Sequence, residues 1–246
     1  MAIPRGNGLM AKAQRLRYSV ASVALRRSFF DVLILLLTYK PEHDRSFDRR
    51  HGTDTAGAVD PSELGIADPT LREKAILYLP SPERVTRWML ENVGLDHSDF
   101  SFVDLGCGKG RVLMVASEYP FRRIIGVDIS SGLSDIARQN DAKYRSASRK
   151  CLDVVVHNAH VPAFDFPEGN LLVHLYHPFD PELTGTALRR LGESLAKRPR
   201  RVVVTYLLYT GAVDKVTEVF ASIPWLRQTR YEQSITGRYD WLFYSN

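Results

Sequence analysis

Apolar and polar positions fall into two regimes along this chain. From Phe102 onward, short apolar runs alternate with stretches whose apolar residues recur every three or four positions. "SFVDL", "RRIIGVDI", "CLDVVVHNA", "NLLVHLYHPF" and "RRVVVTYLLY" have the length and texture of buried strands. "GRVLMVASEY", "SGLSDIARQNDAKYRSA", "PELTGTALRRLGESLAKR" and "GAVDKVTEVFASI" carry the helical period. Such alternation predicts a doubly wound α/β fold, with a mostly parallel sheet covered on both faces. The last two strands, "RQTRYEQSI" and "RYDWLFYS", have no helix between them and meet near Gly237, so one of them is expected to run antiparallel.

The first part of the chain reads differently. In "YLPSPERVTRWMLENVG", Ser81 is expected to cap a helix and Pro82 to fill its first turn. Val85, Trp88, Met89 and Val93 then recur at helical spacing, and Gly94 ends the helix. Residues 40–70 are polar and rich in Gly, Pro and Asp, which predicts a loop that wraps the domain or ties an N-terminal helix to it. The expected division is therefore an N-terminal helical and loop extension, residues 1–70, and an α/β domain, residues 71–246.

Composition narrows the class. A chain of 246 residues suits one domain plus an extension, and 44% hydrophobic residues exclude global disorder. Two cysteines exclude a disulfide framework and a four-cysteine zinc site. The net charge of +5 permits an anionic partner without requiring one. Arg5, Lys12, Arg15, Arg17, Arg26 and Arg27 precede the first acid, Asp31, and "FFDVLILLLTY" surrounds that acid. This run is too short for a bilayer, which needs roughly 20 residues, and a signal peptide fits it poorly. Three readings stay open: a helix packed on the domain, a transit-like segment, and a basic amphipathic helix over residues 9–39 lying on a membrane surface. The expected setting is cytoplasmic, with peripheral membrane contact as the alternative. The basic run from Leu188 to Arg201 lacks interleaved aromatics and gives no strong nucleic-acid signal.

The candidate chemistry lies in "FVDLGCGKGR", Phe102–Arg111. In a doubly wound sheet the turn after the first strand lies where ligands bind. Gly106, Gly108 and Gly110 let the backbone approach a ligand closely, and a helix N-terminus follows. The G-x-G-x-G spacing departs from the G-x-G-x-x-G of dinucleotide sites. Asp104 would repel a pyrophosphate and favours a cation. Asp128 ends the next strand in "IIGVDIS", where a carboxylate can accept both hydroxyls of a ribose. Together these residues point to a nucleoside with a positive end. The reading requires the crevice to be clear of side chains and Asp128 to face it. Cys107 is read as a small filler, and Lys109 and Arg111 as exposed residues at a helix start, facing solvent or a substrate.

With "VDLGCGKGR" and "GVDIS", the chain resembles the class I S-adenosylmethionine-dependent methyltransferases over about residues 78–246. The resemblance implies a seven-stranded sheet with an antiparallel last strand and S-adenosyl-L-methionine as cofactor. It places Asp104, Gly106 and Gly108 near the methionine end, Asp128 on the ribose, and Asn158 beside the adenine. It also implies an acceptor pocket at "LYHPFD", shaped by His177 and Phe179, where amine-methylating relatives carry an Asn or Asp before the proline. His177 departs from that pattern. "YLPSP" is similar to a segment of the protein-lysine methyltransferases of this class, which makes Tyr78 a candidate lid residue. The acceptor is left open between a protein, a protein lysine first, and a small molecule or lipid. A non-catalytic module that senses cofactor or docks a partner is the competing class. His157, His160, His174 and His177 make no metal-ligand set, because strand residues three apart point to opposite faces.

Overall fold

A computed structural model of the chain describes residues 44–66, 68–73, 75–209, 213–234 and 238–246. The N-terminal helix proposed over residues 9–39 lies outside them. Seven strands form one sheet: β1 Phe100–Leu105, β2 Ile124–Asp128, β3 Val154–Asn158, β4 Asn170–Tyr176, β5 Val202–Tyr209, β6 Arg227–Gln233 and β7 Tyr239–Ser245. Their order is β3-β2-β1-β4-β5-β7-β6. The first five are parallel neighbours, and β7 runs antiparallel between β5 and β6. The seven-stranded sheet with an antiparallel last strand is the one expected.

Each strand is where burial rewards extended backbone. Every residue of β1 and β2 is buried, as suits central strands sandwiched between helices. The edge strand β6, "RQTRYEQ", is largely exposed and its register shifts between Gln228 and Arg230. Charge and irregularity blunt such an edge against pairing with another chain.

Among the described residues there are seven α-helices: α1 Ser46–His51, α2 Pro69–Glu73, α3 Glu83–Asn92, α4 Arg111–Ala116, α5 Ser131–Lys143, α6 Pro181–Lys197 and α7 Val213–Ala221. Met89 and Leu90 of α3 and Val112–Ala116 of α4 pack on Phe100, Phe102, Leu172 and Phe243. On the other face, Leu188 and Leu191 of α6 and Phe220 of α7 pack on Val103, Val173 and Tyr206. The order reverses between β1 and β4, so a crevice opens at their carboxyl ends.

Two local expectations fail here. Ser81 does not cap α3: Pro82 holds the cap position, and the Ser81 hydroxyl lies 3.0 Å from that of Thr86. Residues 40–70 are not simply loop, since α1, a 3-10 turn at Pro61–Glu63 and the start of α2 lie within them. Such short helices carry too few periodic positions to show in a hydrophobic pattern.

Candidate functional site

The turn after β1 is built around two acids. Gly106 and Gly108 adopt φ of 82° and 52°, a region costly for residues with a Cβ. The N–H groups of Gly106 and Cys107 donate to the carbonyl of Val127, at 2.8 and 3.2 Å, which ties the turn to β2. Asp128 completes the tie. Its Oδ2 accepts from Gly108 N–H at 2.8 Å and its Oδ1 from Ser130 N–H at 2.9 Å. Asp128 thus faces the glycine turn, and each oxygen keeps a lone pair for a further donor. Burial pushes its carboxyl up, and these two amide bonds oppose that.

Asp104 has no such support. It is 2% exposed, and among the described residues no donor hydrogen-bonds to its carboxylate. Burial, then the like charge of Asp128, raises it well above the ordinary carboxylate range. It lines a cavity with Tyr78, Ser81, Gly106, Arg111 and Tyr176. A buried acid without a partner that faces a cavity is suited to a cationic ligand.

The crevice is not clear, contrary to expectation. A Cβ on Gly106 would collide with the ring of Pro178, and one on Gly108 with the ring of Tyr78. The cavity that Asp104 lines beside Tyr78 is about 20 Å³, room for about one water molecule. Asp104 therefore suits the cationic end of an adenosyl compound, and the cavity beside it is too small to take one.

Lys109 and Arg111 also depart from the reading. Both are buried. Lys109 Nζ donates to the Ala56 carbonyl at 3.2 Å and lies 3.4 Å from Asp54. Arg111 Nε donates to Thr55 Oγ1 at 2.7 Å, and its guanidinium lies 3.9 Å from Asp48. They clamp residues 44–56 onto the glycine turn and do not face solvent. Nothing in the sequence marks Asp48 as the partner of Arg111, because the two meet across a stretch of irregular backbone. Cys107 is buried, and burial, with the charges of Asp128 and Asp104, holds its thiol well above the ordinary range. It fills space beside Gly126, as expected of a small filler.

Asn158 ends β3 and pairs with Asp128. Its amide donates to the carbonyls of Asp128 and Ile129, at 3.1 and 2.8 Å, so its Oδ1 is turned to other donors.

His177 follows β4 and, among the described residues, is the one non-glycine at positive φ, 38°. Its ring lies 6.1 Å from that of Tyr206. Burial lowers its pKa, so the imidazole is neutral near neutrality. Held strain of this kind clusters at functional positions. Replacing His177 by Gly should leave a protein more stable than replacing it by Ala, by about 1 kcal/mol. Thermal unfolding of the two variants measures this. Phe179 packs partly buried against the α6 face, and its backbone bridges Ala75. The four histidines are not brought together: His174 is buried on Thr205, 3.1 Å away, and His157 packs on Phe164.

Residues 102–197 match a family model described as a methyltransferase domain. A curated protein-lysine N-methyltransferase of Saccharolobus islandicus is 39% identical over 54 residues, 22% of this chain and 33% of that protein. The chain thus aligns with about a third of that relative's length. A SAM-dependent methyltransferase from Aquifex aeolicus superposes with a TM-score of 0.53 at 14% identity, covering 76% of this chain and 98% of the other. The [4+2]-cyclase SpnF superposes with a TM-score of 0.52 at 14% identity, covering 67% and 80%. At these identities the superpositions establish a shared fold.

Proposed function

We propose that this chain, which carries a class I S-adenosylmethionine-dependent methyltransferase domain, binds S-adenosylmethionine at the β1 turn and transfers its methyl group. The observation that carries this reading is Asp104, a buried carboxylate with no hydrogen-bond donor among the described residues, which lines the crevice beside a glycine turn anchored on a second acid. The cofactor would supply an electrophilic methyl group and a good leaving group. Asp104 would meet the cationic methionine end, Asp128 the ribose hydroxyls, and Asn158 Oδ1 the adenine amino group. The protein's work is then to bind, align the acceptor in line with the departing sulfur, and exclude water.

For the acceptor we favour a protein lysine. The "YLPSP" segment and the name of the curated relative support it. A lysine must lose a proton before it attacks, and His177, in the turn after β4, would accept it. The test supplies isotopic S-adenosylmethionine to a cell extract with the purified protein and identifies labelled products by mass spectrometry. Label on protein lysines, lost with folded Asp128→Ala, supports the reading. Label on small molecules only would overturn the lysine assignment. Cofactor binding with no transfer would favour a non-catalytic module, and the cyclase on this fold shows that the architecture alone does not decide activity.

The raised pKa of Asp104 gives a pH dependence with a definite sign. A cation binds the ionised carboxylate, so binding releases a proton wherever Asp104 is protonated in the ligand-free protein. Affinity for S-adenosylmethionine should therefore fall as pH falls through that raised value. Titrations from the ordinary carboxylate range upward should show it, with proton release that depends on pH.

A further inference from the structure

We infer that residues 53–66 and 75–81 form a strap that packs over the cofactor crevice and must lift from it before the cofactor binds. This rests on the cofactor reading above. Three contacts place the strap. The Tyr78 ring lies on the backbone of Gly108, and its hydroxyl donates to the Thr55 carbonyl at 2.8 Å. Val59 and Tyr78 exchange both backbone hydrogen bonds, at 3.1 and 3.0 Å. Farther along, Ser130 Oγ donates to the Leu64 carbonyl at 2.5 Å, which seats Leu64 and Ile66 against Leu133 and Ile129.

These positions are those a nucleoside would need. Ile129 follows the acid assigned to the ribose, and its carbonyl holds the Asn158 amide. Leu64 and Ile66 thus cover Ile129 and Leu133, the apolar surface that follows Asp128. Tyr78 covers the turn beside Asp104, where the amino-acid end would lie. The remaining cavity of about 20 Å³ is far below the roughly 300 Å³ at which ligand pockets begin. Strap and cofactor therefore compete for one surface, and apparent affinity is reduced by the fraction of molecules with the strap seated. The clamp of Lys109 and Arg111 on residues 44–56 keeps the strap's first end attached as the rest lifts.

Two measurements on the full chain test this, both with S-adenosylhomocysteine as ligand. In stopped flow, the observed binding rate of the wild type should level off at high ligand, limited by strap opening. Leu64→Ala, which loosens the strap and leaves the acids and glycines in place, should raise that plateau about 10-fold. In hydrogen exchange on the wild type, the Val59 and Tyr78 amides should exchange faster when ligand is bound, while the glycine-turn amides slow. Equal rates for wild type and variant, or Val59 and Tyr78 amides better protected with ligand, would overturn the strap and leave the cofactor reading standing. No binding by either protein would overturn both.

Discussion

Asp104→Asn should make the ligand-free protein more stable while removing its grip on the cofactor. The carboxylate is buried, lacks a hydrogen bond among the described residues and faces Asp128. Keeping such a group ionised costs folding energy, and a neutral amide of the same shape relieves it. A gain of about 1–3 kcal/mol is expected at neutral pH, a rise in Tm of about 2–4 °C per kcal/mol for a chain of this size. The sign follows from linkage. A carboxyl whose folded pKa is raised lets the folded state hold its proton longer, so stability falls as pH rises through the window up to that pKa. The variant should lose that fall. Affinity should drop about 100-fold, the loss of a charge-assisted contact in a dry site. Thermal unfolding and calorimetry on one preparation check both halves. A destabilised variant that binds normally would show Asp104 to be structural.

Asp48→Ala should be among the most damaging single changes outside the crevice. Asp48 accepts from Thr53 Oγ1, Thr55 N–H, Thr55 Oγ1 and Ala56 N–H, all between 2.6 and 2.8 Å. Its carboxylate is also the acid nearest the buried Arg111 guanidinium. Burial pushes its pKa up, and the bonds from Thr55, Ala56 and Thr53 outweigh this and hold it below the ordinary value. Removing it orphans several donors and leaves Arg111 without its acid. A loss of about 3–5 kcal/mol is expected, read as a fall in Tm and in denaturant midpoint. Because the folded pKa is lowered, the wild-type contribution is present above the unfolded pKa and lost as pH falls through the folded one. Below that point wild type and variant should converge.

The alternation of strand and helix was legible because buried strands and amphipathic helices leave different periods in a sequence. The ends of those elements are less legible, as in "CLDVVVHNA", whose apolar run starts before pairing begins at Val154. The two acids and the glycine turn were legible because their spacing has a chemical reason. The strap was not. Asp48, Thr55 and Arg111 meet across irregular backbone, and no period records that. Lys109 and Arg111 looked solvent-exposed because a helix start gives no hint of a segment folded over it. The strain at His177 was equally silent: the position suggested a role, and only the backbone shows the positive φ.

The central claim is that the β1 turn, Asp104 and Asp128 hold a cationic adenosyl compound. Calorimetric titration of the folded full-length protein with S-adenosylmethionine, beside a parallel titration with a nicotinamide dinucleotide, tests it most directly. The account predicts saturable one-site binding of the sulfonium compound, weakened about 100-fold in Asp104→Asn and abolished in Asp128→Ala, with no heat from the dinucleotide. Binding of the dinucleotide in its place, or of neither, would contradict it.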